Sequence, residues 1–194
     1  AAVPLWVQLS LMGECRARVE RALAGVVGDA DEAARARMRL SAALGWALTF
    51  AVGRAREAGE AWAAALALAE RLGDRSCQLR ALWGLWINHL NDGEFRKALE
   101  LARRFAGIAA GSPDPVDQMM SDRMLANSLH YLGDQTGARH HIERMFGRYG
   151  ASTHQRSVVR FQSDQHVRAR YFHARILWLQ GLADRARRAV EQNV

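Results

Sequence analysis

Two histidines stand side by side at positions 140 and 141, and two more at 166 and 173; by type these are the side chains best suited to hold a metal ion. Their spacing argues against it. Neighbouring residues on a helix point about 100° apart, so the rings of His140 and His141 are not expected to meet one ion. His166 and His173 share a helical face, but about 10.5 Å of rise separates them, too far for co-ligation. Cys15 and Cys77 are isolated, with no C-x-x-C pair, so neither a structural zinc nor an oxidising compartment is indicated, and a cytoplasmic setting is expected.

Other reactive constellations are equally absent from the sequence. A P-loop requires G-x-x-x-x-G-K-[ST], but the single lysine, Lys97, follows Arg96. No two glycines lie two residues apart and no serine has glycine two residues away on both sides, which removes G-x-G-x-x-G and the G-x-S-x-G elbow. Carboxylates such as Glu57, Glu60, Glu94 and Glu100 are scattered without a nucleophile or base in view, and ion pairs or solvation account for them. The expectation is a chain that is not an enzyme and carries no cofactor.

The elements that hold these residues follow from a repeated pattern. "LWGLWINHLNDGEFRKALELARRF", "MLANSLHYLGDQTGARHHIERM" and "YFHARILWLQGLADRARRAVEQ" share one anatomy. An amphipathic helix stops at Gly93, Gly133 or Gly181, and five residues later stands Ala98, Ala138 or Ala186. Four residues further comes Ala102, Ile142 or Val190. A glycine past a periodic run supplies the left-handed residue that ends a helix, and Asp134 beside Gly133 suits the cap of the next. The small residue belongs where two antiparallel helices approach most closely. "RLSAALGWALTFAVG" with "AGEAWAAALALAERLGD" makes another pair, with Gly45 at its tight contact, and "LWVQLSLMGECRARVERALAG" an earlier, shorter one. "AGSPDPVD" and "YGASTHQRS" read as loops. The reading is all-α: about ten helices in five hairpins, stacked as a right-handed, tetratricopeptide-like (TPR-like) α-solenoid that forms one domain over residues 1–194.

Net charge is +7, and it is uneven. From Arg139 to Arg175 there are eight Arg against Glu143 and Asp164, with five of the seven His in the same window. A solvated or intramolecularly paired face is the expected use of this charge, ahead of nucleic-acid binding. No stretch approaches the roughly 18 apolar residues that span a bilayer.

In a hairpin solenoid the first helix of each pair lines the inner surface. Counting back from the turn glycines places Trp46 and Phe50, then Trp83 and Ile87, then Arg123, Asn127 and His130, and finally Arg168, Tyr171, Arg175 and Trp178 on that surface. Aromatic rings there could stack apolar groups while Arg forks and the Asn amide hold a carboxylate, phosphate or peptide backbone. Burial between hairpins is the competing expectation for Trp83 and Ile87, and an interhelix ion pair for the Arg, Asn and His set. Uncovered solenoid ends would also permit a homodimer.

At "LRALWGLWINHLNDGEFRKALELARRF", "DRMLANSLHYLGDQTGARHHIERM" and "RFQSDQHVRARYFHARILWLQGLADRARRAV" the chain resembles large bacterial winged-helix transcriptional regulators that carry a central STAND-type ATPase and a C-terminal TPR-like arm. The likeness runs from about Leu5 to the end. It implies that this piece is the sensor arm, excised from a longer chain, with the winged helix and ATP site upstream as intramolecular partners. Such arms would receive a protein segment or small effector and relay the signal, and no DNA-binding or ATP-hydrolysing residue is implied here. A self-association scaffold, or nucleic-acid binding by the basic window, are the alternatives.

Overall fold

The computed structural model describes residues 11–28, 30–49, 51, 53–148, 150, 156–157, 161 and 164–191. The chain divides into two compact units, Ala1–Glu94 and Phe95–Val194. Among the described residues nine α-helices follow one another. The first unit contains α1 (Met12–Ala24), α2 (Asp31–Thr49), α3 (Ala55–Arg71) and α4 (Arg75–Asn91). The second contains α5 (Phe95–Ala110), α6 (Pro115–Tyr131), α7 (Gln135–Gly147), α8 (Gln165–Leu179) and α9 (Ala183–Glu191). Of the earliest expected hairpin, Met12–Ala24 is one continuous helix and the preceding residues lie outside the described ones. None of the described helices is long and apolar enough to cross a membrane.

The helix boundaries sit where the turn chemistry demands. Gly93, Gly133 and Gly181 have φ of 75°, 90° and 75°, a conformation in which a side chain would be strained. Around each of them the amide two positions past the helix reaches back five residues: Glu94 N donates to His89 O (2.9 Å), Asp134 N to Leu129 O and Leu182 N to Leu177 O (both 3.0 Å). This is the Schellman closure, which satisfies carbonyls the helix leaves unpaired. Aspartates then open the next helices. Asp74 Oδ1 accepts from Cys77 N at 2.9 Å, Asp134 Oδ1 from Gly137 N at 2.8 Å, and Asp164 Oδ1 from His166 N at 2.8 Å. Before α6, Asp114 Oδ1 accepts from Val116 N at 3.0 Å while Pro115 occupies the first helical position, where its missing N–H costs nothing.

In the first unit the core forms around tryptophans. A Cβ added at Gly45 of α2 would lie 2.7 Å from the buried Trp62 ring of α3, and one added at Gly84 of α4 only 2.2 Å from it. Glycine lets two helices close on one indole. Trp62 Nε1 donates to Thr49 Oγ1 at 2.9 Å, which fixes the ring. Trp46 stacks on Trp83 with centroids 4.8 Å apart and meets Trp62 edge-on at 6.4 Å.

In the second unit α6 is the central helix, packed against α5, α7 and α8 and buried along most of its length. Ala98, Ala138 and Ala186 are all buried, and the last two lie in the α6/α7 and α8/α9 hairpins, as the alanine pattern predicts. Asp122 of α6 is fully buried and collects three groups from α7: His141 Nδ1 at 3.0 Å, Arg144 Nε at 2.8 Å, and the Arg148 guanidinium. Burial pushes its carboxyl up, but hydrogen bonds from His141 and Arg144 and the charges of Arg144 and Arg148 outweigh this and hold it below the usual carboxylate range.

Candidate functional site

The candidate residues of the sequence separate into buried and open sets. Trp83 is buried against Trp46 and belongs to the core of the first unit, not to an open groove, because α4 is apolar nearly all round and is packed on by α2 and α3. Ile87 is half-buried, Trp46 is buried, and Phe50 lies outside the described residues. Arg123, Asn127 and His130, expected on an open inner face, are instead buried on α6, where α8 packs against it. Arg123 Nη1 donates to Gln165 Oε1 at the start of α8. Burial, and after it the charge of Arg168, push the Arg123 guanidinium down to about 9. His130 Nδ1 lies 2.8 Å from Gln135 Oε1, and its ring meets Phe172 of α8 edge-on at 5.7 Å. Desolvation lowers the His130 pKa and the Arg175 charge adds to it, against the opposing hydrogen bond with Gln135.

Arg168, Tyr171, Arg175 and Trp178 are exposed on α8. The last three stand at i, i+4 and i+7 and so share a face. Arg175 lies over the Tyr171 ring at 5.5 Å and over Phe172 at 5.9 Å, and its Nη1 donates to Tyr171 Oη at 3.2 Å. The cation is therefore held in place rather than free to sample solvent.

Three aromatic residues that sequence reasoning overlooked extend this face. Phe95 at the start of α5 stacks on Tyr131 at the end of α6, with centroids 4.6 Å apart and planes 5° apart, and Tyr131 meets Phe172 edge-on at 5.9 Å. Phe95 and Tyr131 each stand two residues from a turn glycine, so an aromatic at that offset was the available signal. Beyond Arg175, a groove of about 670 Å³ runs between α8 and α9, lined among others by Tyr171, Ala174, Arg175, Trp178, Arg187 and Val190. Stacking surfaces and guanidinium forks are on offer here; no nucleophile and base are.

Much of the basic window is engaged within the second unit. Arg139 pairs with Glu143 at 2.7 Å, Arg144 and Arg148 with Asp122, and Arg156 with Asp114 at 3.3 Å. His141 serves Asp122, while the exposed His140 points its ring edge-on to that of His141 at 5.4 Å. His173 is half-buried, 3.8 Å from Glu143, and burial lowers its pKa against the raising effect of that carboxylate. Among the described residues no group of three His, Cys, Asp or Glu side chains is arranged to hold a metal ion.

This architecture has close counterparts among solved structures. A kinesin light chain protein with nearly identical TPR-like repeats from Podosopora anserina superposes with a TM-score of 0.71 at 19% identity, covering 98% of this chain and 89% of that one. A second crystal structure of that protein gives 0.70 at the same identity and coverage. The fold is TPR-like. At this identity the likeness establishes how the TPR-like helices pack and nothing about what they bind. No family model and no curated protein matches the sequence.

Proposed function

We propose that this TPR-like domain is a non-enzymatic interaction and sensor arm, which takes a protein segment on the exposed face of α8. One observation carries the reading: Tyr171, Arg175 and Trp178 share one face, all three exposed, with the Arg175 cation held against the Tyr171 ring. Exposed aromatic and arginine side chains combine large contact area with directed hydrogen bonds, the mixture that dominates protein recognition sites. A small effector bearing a carboxylate would use the same groups. Placement of the arm in a cytoplasmic winged-helix regulator, downstream of a STAND-type ATPase, is supported by the sequence resemblance alone.

Photocrosslinking in the producing cell tests the face. With Tyr171→p-benzoylphenylalanine or Trp178→p-benzoylphenylalanine, ultraviolet light is expected to yield a discrete protein adduct. The same substitution at Arg56, exposed on α3, is expected to yield none. Equal adducts from all three positions, or none from any, would refute the proposal.

A further inference from the structure

The two hairpins of the second unit whose grooves can be compared have the same register, and one of the grooves is filled. Shifting by the 48 residues between Gly133 and Gly181 puts Tyr171 on Arg123, Arg175 on Asn127, Trp178 on His130 and Val190 on Ile142. The shared frame is intact in both: Ala126 and Ala138 are buried in one hairpin, Ala174 and Ala186 in the other. In the α6/α7 hairpin the groove residues are covered, with Arg123 2% exposed, His130 5% and Ile142 0%. What covers them is a helix, α8, which packs on α7 and α6 and supplies Gln165 to Arg123 and Phe172 to His130. In the α8/α9 hairpin the counterparts are open: Tyr171 is 55% exposed, Trp178 66% and Val190 53%.

We infer that the α8/α9 groove is a docking site for one helix of a partner protein, a helix with an apolar stripe flanked by carboxylates. The shape follows from α8 itself, which shows what the same groove holds one repeat earlier. The chemistry follows from the lining. Trp178, Leu179 and Val190 demand apolar side chains, since open water over three such residues is unfavourable at about 25 cal/mol per Å². Arg175 and Arg187 are the charged residues of the lining and no carboxylate stands among them; Asp184, outside it, holds Arg187 only by an exposed contact of 3.6 Å. A second copy seated face to face would set these arginines against themselves. Helix α1 of a copy is no better, because Arg16, Arg18 and Arg21 outnumber Glu14 and Glu20, and both glutamates are already paired.

This inference rests on the proposed interaction face and assigns the partner's chemistry. Its test uses the purified 194-residue chain and two stapled helical peptides with one leucine stripe, flanked by Glu in the first and by Lys in the second. Fluorescence anisotropy is expected to show the Glu peptide binding about tenfold more tightly than the Lys peptide, the two charge contacts and the two repulsions adding to that ratio. Trp178→Asp is expected to remove binding of both. The double variant R175E/R187E is expected to reverse the preference, a gain that loss of folding cannot imitate. Equal affinity for the two peptides, binding of neither, or binding insensitive to Trp178→Asp would overturn the inference, as would a concentration-dependent dimer abolished by Trp178→Asp. If crosslinks form at positions 171 and 178 while both peptides fail, only the helical partner is lost; if the crosslinks also fail, the interaction face goes with it.

Discussion

Gly84 leaves no room for a methyl group. Its added Cβ would sit 2.2 Å from Trp62, and the indole cannot swing away because Nε1 is tied to Thr49 and a Cβ at Gly45 would already lie within 2.7 Å of the same ring. Alanine would gain up to about 1 kcal/mol of helix propensity. Overpacking a filled core costs about 1–3 kcal/mol, and a contact this short lies at the upper end. Gly84→Ala is therefore expected to lower stability by about 1–2 kcal/mol in urea denaturation, with Gly45→Ala somewhat milder because its clash is less severe. An unchanged midpoint would mean that Trp62 has space the structure does not show. Gly45 could be marked from the sequence as a close contact; Gly84 and Trp62 could not, since the three come together only when three helices do.

The pairing of α6 with α8 and of α7 with α8 makes stability depend on pH. His130 and His173 both have pKa values lowered by burial, so the unfolded chain binds protons that the folded chain resists. The number bound in the unfolded state exceeds that in the folded state between the lowered values and the ordinary value near about 6.5, and stability rises with pH across that interval. Above about pH 7 the effect is complete; as pH falls below 6.5 it is lost. Asp122 acts separately, since its lowered pKa confines its loss of stability to pH below the ordinary carboxylate range. The expected outcome is a thermal midpoint that is flat between about pH 7 and 8 and falls by pH 5.5, with a shallower fall in His130→Gln, followed by circular dichroism. A fall of equal depth in that variant would remove His130 from the account. The helix ends themselves were legible, because Gly-Asp turns carry their own backbone preferences. Which face of α6 would be covered was not, for the polar residues of α6 and α8 look alike in sequence and differ only in having a neighbour.

For the molecule as a whole, a net charge of +7 invites a nucleic-acid reading that the ion pairs weaken. Arg139, Arg144, Arg148 and Arg156 already meet carboxylates in the second unit, so fewer counterions would be released from a DNA backbone than the formal charge suggests. Duplex DNA is expected to show no retained complex with this chain at about 0.15 M salt and only steeply salt-dependent association below it, measured by anisotropy of a labelled duplex. Tight binding at physiological salt would reinstate the basic window as an interface. The stacking of hairpins was readable from the recurrence of glycine, alanine and an apolar residue at fixed offsets, because each feature answers a local requirement of two helices meeting at a turn.

From its sequence alone, this protein is all-helical, built of glycine-ended hairpins with small residues at their crossings, and carries none of the motifs of phosphate, hydrolase or metal chemistry that were sought. Those properties depend on residues a few positions apart, and the chain order specifies them. Tertiary structure alone decided that Arg123, Asn127 and His130 are closed over while Tyr171, Arg175 and Trp178 are open. Equivalent positions in equivalent hairpins take opposite roles because exposure depends on whether another helix lies across the groove, and that neighbour is remote from the residues it covers.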